Sequence, residues 1–186
     1  MLDAVVIIFW SITYVLVLIA GVLSRNTSKV SMPYTAVILN FTWELCALWY
    51  SRGFWGHILW SALDLGIVCI NFRYCKSNRN RMIFLILMLI GMLFTRHVFT
   101  MQNGMLYSSF AGDFIMAVCF LTDRKKLSGK LKVSIAVTKL LGDLFAGMCY
   151  GPEGAFITIL AGLVLLCNIA YLYLCMDESF AAEQEK

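Results

Sequence analysis

Residues 4–23, 33–50, 54–72, 82–100, 104–122, 131–150 and 155–176 are apolar stretches of about 20 residues each, with little but short turns between them. At 1.5 Å of rise per residue, a helix of that length crosses the ~30 Å hydrocarbon core of a bilayer. In lipid every backbone polar group needs an internal partner, so such segments are helices. The sequence therefore predicts an all-α polytopic membrane protein: one seven-transmembrane-helix bundle over residues 1–186, with no soluble domain. Composition agrees, because 14% charged residues and a mean hydropathy of +0.80 fall well away from the roughly 25% charge of soluble domains. The first stretch is expected to be a retained helix rather than a signal peptide. Asp3 is the only charge before it, no basic n-region precedes it, and the apolar run is too long for an h-region.

Lys and Arg in the turns set the orientation. One side would hold Arg25, Lys29, Arg73, Lys76, Arg79 and Arg81, then Arg124, Lys125, Lys126, Lys130, Lys132 and Lys186. The other side would hold Arg52 alone. This bias predicts an outer N-terminus and a cytoplasmic C-terminus. The net charge of +4 reflects the same asymmetry and suits lipid headgroups. No motif supports nucleic-acid binding. The seven cysteines form no C-x-x-C pair and read as small apolar residues.

Against this background the ionisable residues within the spans stand out: Glu44, Asp64, Arg96, His97, Asp113, Lys139 and Asp143. Charge at bilayer depth is costly, and such groups face a bundle interior or mark a working site. Helical spacing puts Asn40 and Glu44 on one face of the second span. His57, Trp60, Asp64 and Asn71 form one stripe on the third. The fifth offers Ser109 and Asp113 beside Phe110, Met116 and Phe120, and the sixth offers Lys139 and Asp143. Groups from five helices are thus expected at one level, around a single polar cavity within an apolar wall.

Each residue also has a structural reading. Lys139 and Asp143, four residues apart, suit a local ion pair. Arg96 is placed to neutralise Glu44 or Asp113, or to snorkel to the surface. His97 suits an interface, and Asp64 and Asp113 suit interhelical hydrogen bonds. Trp10, Trp49, Trp55 and Tyr150 read as interfacial aromatics. Trp43 and Trp60 lie deeper, where they can face a ligand.

The run Asn40-Phe41-Thr42-Trp43-Glu44-Leu45, entered from Pro33-Tyr34, resembles the second-helix signature of a known family. That family is the small integral-membrane terpene cyclases of fungal meroterpenoid and indole-diterpene biosynthesis, with their bacterial relatives. The third-helix run Trp60-Ser61-Ala62-Leu63-Asp64-Leu65 is similar to theirs as well, and the seven-helix layout agrees. The resemblance implies that Glu44 is the general acid that protonates the epoxide of a prenyl chain. It also implies a second acid near the last helix, closely followed by tyrosine. In Cys167-Asn168-Ile169-Ala170-Tyr171 that position is Asn168, so the second-acid role falls to Asp113 or Asp143.

A carboxyl in hydrocarbon favours its neutral, proton-donating form. A lipid-embedded cavity also keeps water from a carbocation. The chain has neither the DDxxD run that holds magnesium in diphosphate-ionising cyclases nor a Gly-rich phosphate loop, so no metal or other cofactor is expected. On this reading Glu44, Asp113 and Asp143 are catalytic, and Asn40, Trp43, Trp60, Asp64, Arg96 and Asn168 bind substrate. The expected partners are a lipid-soluble, isoprenoid-like small molecule and the lipid bilayer. A second reading stays open, that of a non-catalytic membrane protein binding or transporting a small hydrophobic or proton-coupled ligand. A retinal protein is disfavoured, because residues 155–176 contain no lysine.

Overall fold

The computed structural model describes residues 2–24, 29–51, 54–75, 77–129 and 131–184. Seven helices account for most of them: α1 (Leu2–Leu23), α2 (Tyr34–Tyr50), α3 (Trp55–Tyr74), α4 (Asn78–Phe99), α5 (Gly104–Asp123), α6 (Lys132–Tyr150) and α7 (Ala155–Gln184). Six are long and apolar enough to cross a membrane, which is compatible with an integral membrane protein. The helix that falls short is α2, with 17 residues. Of the basic residues that set the predicted orientation, Arg25, Arg52, Lys76, Lys130 and Lys186 lie outside the described residues.

Helix boundaries follow local chemistry. Pro33 precedes α2, where its missing N–H leaves no bond unmade. The Ser77 hydroxyl accepts from the Asn80 amide, so α4 begins at Asn78, ahead of the apolar stretch that marked it in the sequence. The turn into α5 needs a left-handed residue, and Asn103 supplies it at φ 56°. Gly104 follows because a Cβ there would lie 1.9 Å from the Val98 carbonyl oxygen. Helix α7 outruns residues 155–176 by two turns. The extension has a use, since Glu178 accepts from Lys132 Nζ at 2.6 Å and meets Arg124 Nε at 3.2 Å.

Neighbour packing closes a ring in the order α2, α3, α1, α6, α7, α5 and back to α2, with α4 outside it against α2 and, more lightly, α5. Gly91 lets α4 approach, since a Cβ there would come within 3.2 Å of the Thr42 side chain. The outer position of α4 leaves only Phe84, Thr95 and Phe99 of that helix buried. Arg96 and His97 are exposed as a result. Of the two placements expected for Arg96, the exposed side chain fits the one that reaches the surface and not the one that meets the carboxyls, and the gathering of polar groups from α4 with those of the other helices is corrected.

The ring is filled unevenly. At the basic end it is solid: Val17, Ala20, Val37, Ile67, Ala136 and Tyr171 pack together, nearly all free of solvent contact. There the chain segments on either side of the ring also join. Ser128 N donates to the Val30 carbonyl at 2.9 Å, and the Ser24 and Ser128 hydroxyls are hydrogen-bonded. Toward the end where α1, α3, α5 and α7 begin, the ring is hollow.

Candidate functional site

The hollow is a cavity of about 380 Å³, within the size range of small-molecule sites. It is lined from five helices and the residue before α3. Helix α1 contributes Asp3, Val6, Ile7, Trp10 and Tyr14, a run at i, i+3, i+4, i+7 and i+11 that keeps one face inward. Helix α2 presents Asn40, Trp43 and Glu44, while Phe54 comes from just before α3 and His57 and Trp60 from its first half. Helix α5 adds Ser109, Phe110, Asp113 and Met116 along another inward face, and Ala146 and Tyr150 close the wall from α6.

Trp10 is not an interfacial residue, as its place near the start of the first span suggested. It is buried, and Gly142 makes room for it on α6, where a Cβ would lie 3.1 Å from the indole. Trp49 and Trp55, by contrast, are 85% and 58% exposed, in keeping with belt positions. Two of the deeper indoles are fixed by hydrogen bonds: Trp43 Nε1 donates to Ser108 Oγ at 3.0 Å and Trp60 Nε1 to Ser11 Oγ at 3.1 Å. Tyr150 stands at the open end, where its hydroxyl donates to Asp3 Oδ1 at 2.9 Å. That bond ties the start of α1 to the end of α6 across the mouth.

Three carboxyls face this space in different circumstances. Asp3 lies at the mouth and accepts from Tyr150. Glu44 is buried and hydrogen-bonded to His57, Nδ1 and Oε2 being 2.8 Å apart. The His57 ring is held between Trp43, Phe54 and Trp60, each in edge contact at 5.5–5.8 Å, so its aim at Glu44 is fixed from all sides. Asp113 makes no hydrogen bond or ion pair with any described residue, and it is the open carboxyl of the wall.

Asp64 does not line the cavity. It sits directly behind Asn40, whose Nδ2 donates to Asp64 Oδ1 and Oδ2 at 2.9 and 2.8 Å and to the Tyr14 hydroxyl at 2.7 Å. This cluster joins α1, α2 and α3, so Asp64 acts by locking the Asn40 amide rather than by touching a ligand.

Asp143 and Asn168 also lie off the cavity wall. Lys139 Nζ donates to Asp143 Oδ2 at 2.6 Å, and Asn168 Nδ2 donates to the same oxygen at 2.5 Å. All three are almost fully buried between α6 and α7, with the Lys139 ammonium 4.9 Å from the Trp10 ring centroid. The i, i+4 spacing lets the pair form within α6, and burial there keeps Asp143 off the surface a ligand can reach. Asn168 is spent on Asp143, and Arg96 is on the outside of α4. The catalytic assignment of Asp143 and the substrate-binding assignments of Asp64, Arg96 and Asn168 are thus not matched by contact with the cavity.

Two wall residues have roles that the sequence alone does not assign. His57 lies seven residues before Asp64 and three before Trp60, on the same stripe, but nothing in the sequence pairs it with Glu44. Tyr14 follows Trp10 by one helical turn and reads as an ordinary core aromatic until Asn40 is seen against it.

No protein-family model matches the chain, and neither a curated protein nor a solved structure matches it.

Proposed function

We propose that the chain crosses the membrane seven times, with the N-terminus outside and the C-terminus cytoplasmic. In this reading the cavity takes an isoprenoid-like substrate from the lipid and initiates its cyclisation by proton transfer from Glu44. The observation that carries the reading is the Glu44–His57 pair, set into the wall of an aromatic-lined cavity within an apolar bundle. A prenyl chain has almost no polar atoms, and its folded form is held by shape and aromatic surface, which Trp10, Trp43, Trp60 and Phe110 supply. Aromatic faces also stabilise the positive charge that protonation creates.

The proton would leave Glu44 for the epoxide oxygen, or for an alkene carbon, as the carbon framework closes. His57 holds the carboxyl in one orientation and is placed to return a proton to it afterwards. Asp113 faces the same space without a partner and takes the part of the acceptor that removes the final proton. The Asn40–Asp64–Tyr14 cluster supports the wall behind Glu44. Water exclusion comes from the lipid and the packed ring, since a carbocation is quenched by any water that reaches it.

The test is product formation from epoxy-prenyl substrates by wild type and Glu44→Gln at matched levels of folded protein. Losing a general acid lowers turnover by about 10²–10⁴-fold. Equal product from the two would remove Glu44 from the reaction, and no product from wild type across a broad panel would overturn the enzymatic reading. The topology is tested separately. A reporter fused after Lys186 should read cytoplasmic, and an external signal contradicts the seven crossings.

The second reading, a non-catalytic protein that binds or carries a hydrophobic or proton-coupled ligand, draws on the same unpartnered Asp113. It predicts ligand binding without turnover.

A further inference from the structure

The cavity wall contains three carboxyls and one imidazole, but no Lys or Arg. Its aromatic residues include Trp10, Tyr14, Trp43, Trp60 and Phe110. Asp3 is tied to Tyr150 and Glu44 to His57, whereas Asp113 is free of hydrogen bonds among the described residues. On binding, a neutral hydrocarbon offers such a carboxyl no hydrogen bond or counter-charge, and an anionic headgroup is repelled by it. What satisfies it is a donor carrying positive charge, with aromatic faces around it.

We infer that the cavity binds lipophilic amines, seating the ammonium against Asp113 and the alkyl chain along the aromatic wall. An amine that arrives neutral takes the proton of the Asp113 carboxyl, and one that arrives protonated meets the carboxylate. Both routes end in the same ion pair. The protein already contains this arrangement once, outside the cavity: the Lys139 ammonium lies over the Trp10 ring and against the Asp143 carboxylate. A ligand ammonium at Asp113 repeats it from the cavity side. Lys139 is already engaged by Asp143 and makes no ion pair with Asp113. The inference stands apart from the cyclisation proposed above, because a protein that binds amines and makes no product leaves it intact.

The probes are octyldimethylamine, octyltrimethylammonium, 1-octanol and octanoate, titrated against the purified full chain in uncharged detergent with tryptophan fluorescence as the readout. The four share one chain and differ in the head, so hydrophobic partition is common to all. A charge-assisted contact in a buried site is expected to make octyldimethylamine bind about tenfold or more tighter than 1-octanol, with octanoate weakest. The permanent cation octyltrimethylammonium lacks an N–H and should fall between the amine and the alcohol. In Asp113→Asn the advantage of the amine over the alcohol should vanish while 1-octanol binds as before. Equal binding of amine and alcohol by wild type overturns the inference, whatever the variant does. So does an amine advantage that survives in folded Asp113→Asn, or an absence of binding by all four.

Discussion

Asp113 on α5 and Asp143 on α6 are the same side chain in the same bundle, yet they stand in opposite conditions. Asp143 is buried against Lys139 and Asn168, with one oxygen accepting from both. Asp113 faces a cavity and accepts from nothing among the described residues. The difference has a simple origin in the chain. Asp143 has a lysine one turn away on its own helix, whereas the residue one turn before Asp113 is Ser109. A carboxyl with a cation on its own helix is neutralised before any ligand arrives. One without it, and without a partner on a neighbouring helix such as His57 gives Glu44 and Asn40 gives Asp64, depends on what enters the cavity. The comparison separates acids that hold the bundle together from acids that are available for chemistry, although both kinds look alike as isolated charges in an apolar run.

The comparison breaks first at the α6 pair. Asp143→Asn leaves the Lys139 ammonium buried without a counter-charge, and stability should fall by about 3–5 kcal/mol, the cost of halving a buried pair. Thermal unfolding of the purified variant measures it. A melting point equal to wild type would mean that Lys139 finds water, and that the pair is not structural. Replacing the whole cluster, as Lys139→Met with Asp143→Leu and Asn168→Leu, should recover most of the loss, because neither a charge nor the Asn168 amide is then left unpaired.

The next effect is at His57. His57→Gln keeps a hydrogen-bonding group near Glu44 but loses the ring that Trp43, Phe54 and Trp60 grip. In the proposed cyclisation, turnover is expected to drop about 10²-fold, the size of loss seen when a reacting group is misplaced. Substrate binding should change little. A variant that loses binding and turnover together would recast His57 as part of the cavity shape.

The smallest effect belongs to the mouth. Tyr150→Phe removes one hydrogen bond, to Asp3, worth about 0.5–1.5 kcal/mol. Its signature is faster ligand exchange in stopped-flow fluorescence with nearly unchanged melting. Unaltered exchange would show that the α1–α6 tie does not govern entry.

How far these roles were legible beforehand follows from the same contrast. The helices were readable because length and apolarity act locally, and six of them are long and apolar enough to cross a membrane. The pairing of Lys139 with Asp143 was readable for the same reason, as both lie on one helix. Arg96 stayed open between the bundle carboxyls and the surface because α4 is apolar on every side, so nothing in its sequence reveals that it packs outside the ring. Trp10 misled because interfacial and buried tryptophans look the same near a helix start, and only Gly142 on α6 decides between them. Asn168 was marked by its position in the chain, but its amide turns out to be spent on Asp143. Neighbours on other helices decide such cases, and a single sequence does not name them.

The central claim is that Asp113 is kept for a ligand and Asp143 for the fold. Asp113→Asn and Asp143→Asn should be purified side by side in one detergent and their thermal midpoints compared with wild type. At roughly 2–4 °C per kcal/mol for a chain of this size, Asp143→Asn should melt about 10 °C lower. Asp113→Asn should melt within about 2 °C of wild type, since it surrenders no hydrogen bond. Equal losses, or a larger loss in Asp113→Asn, would contradict the account.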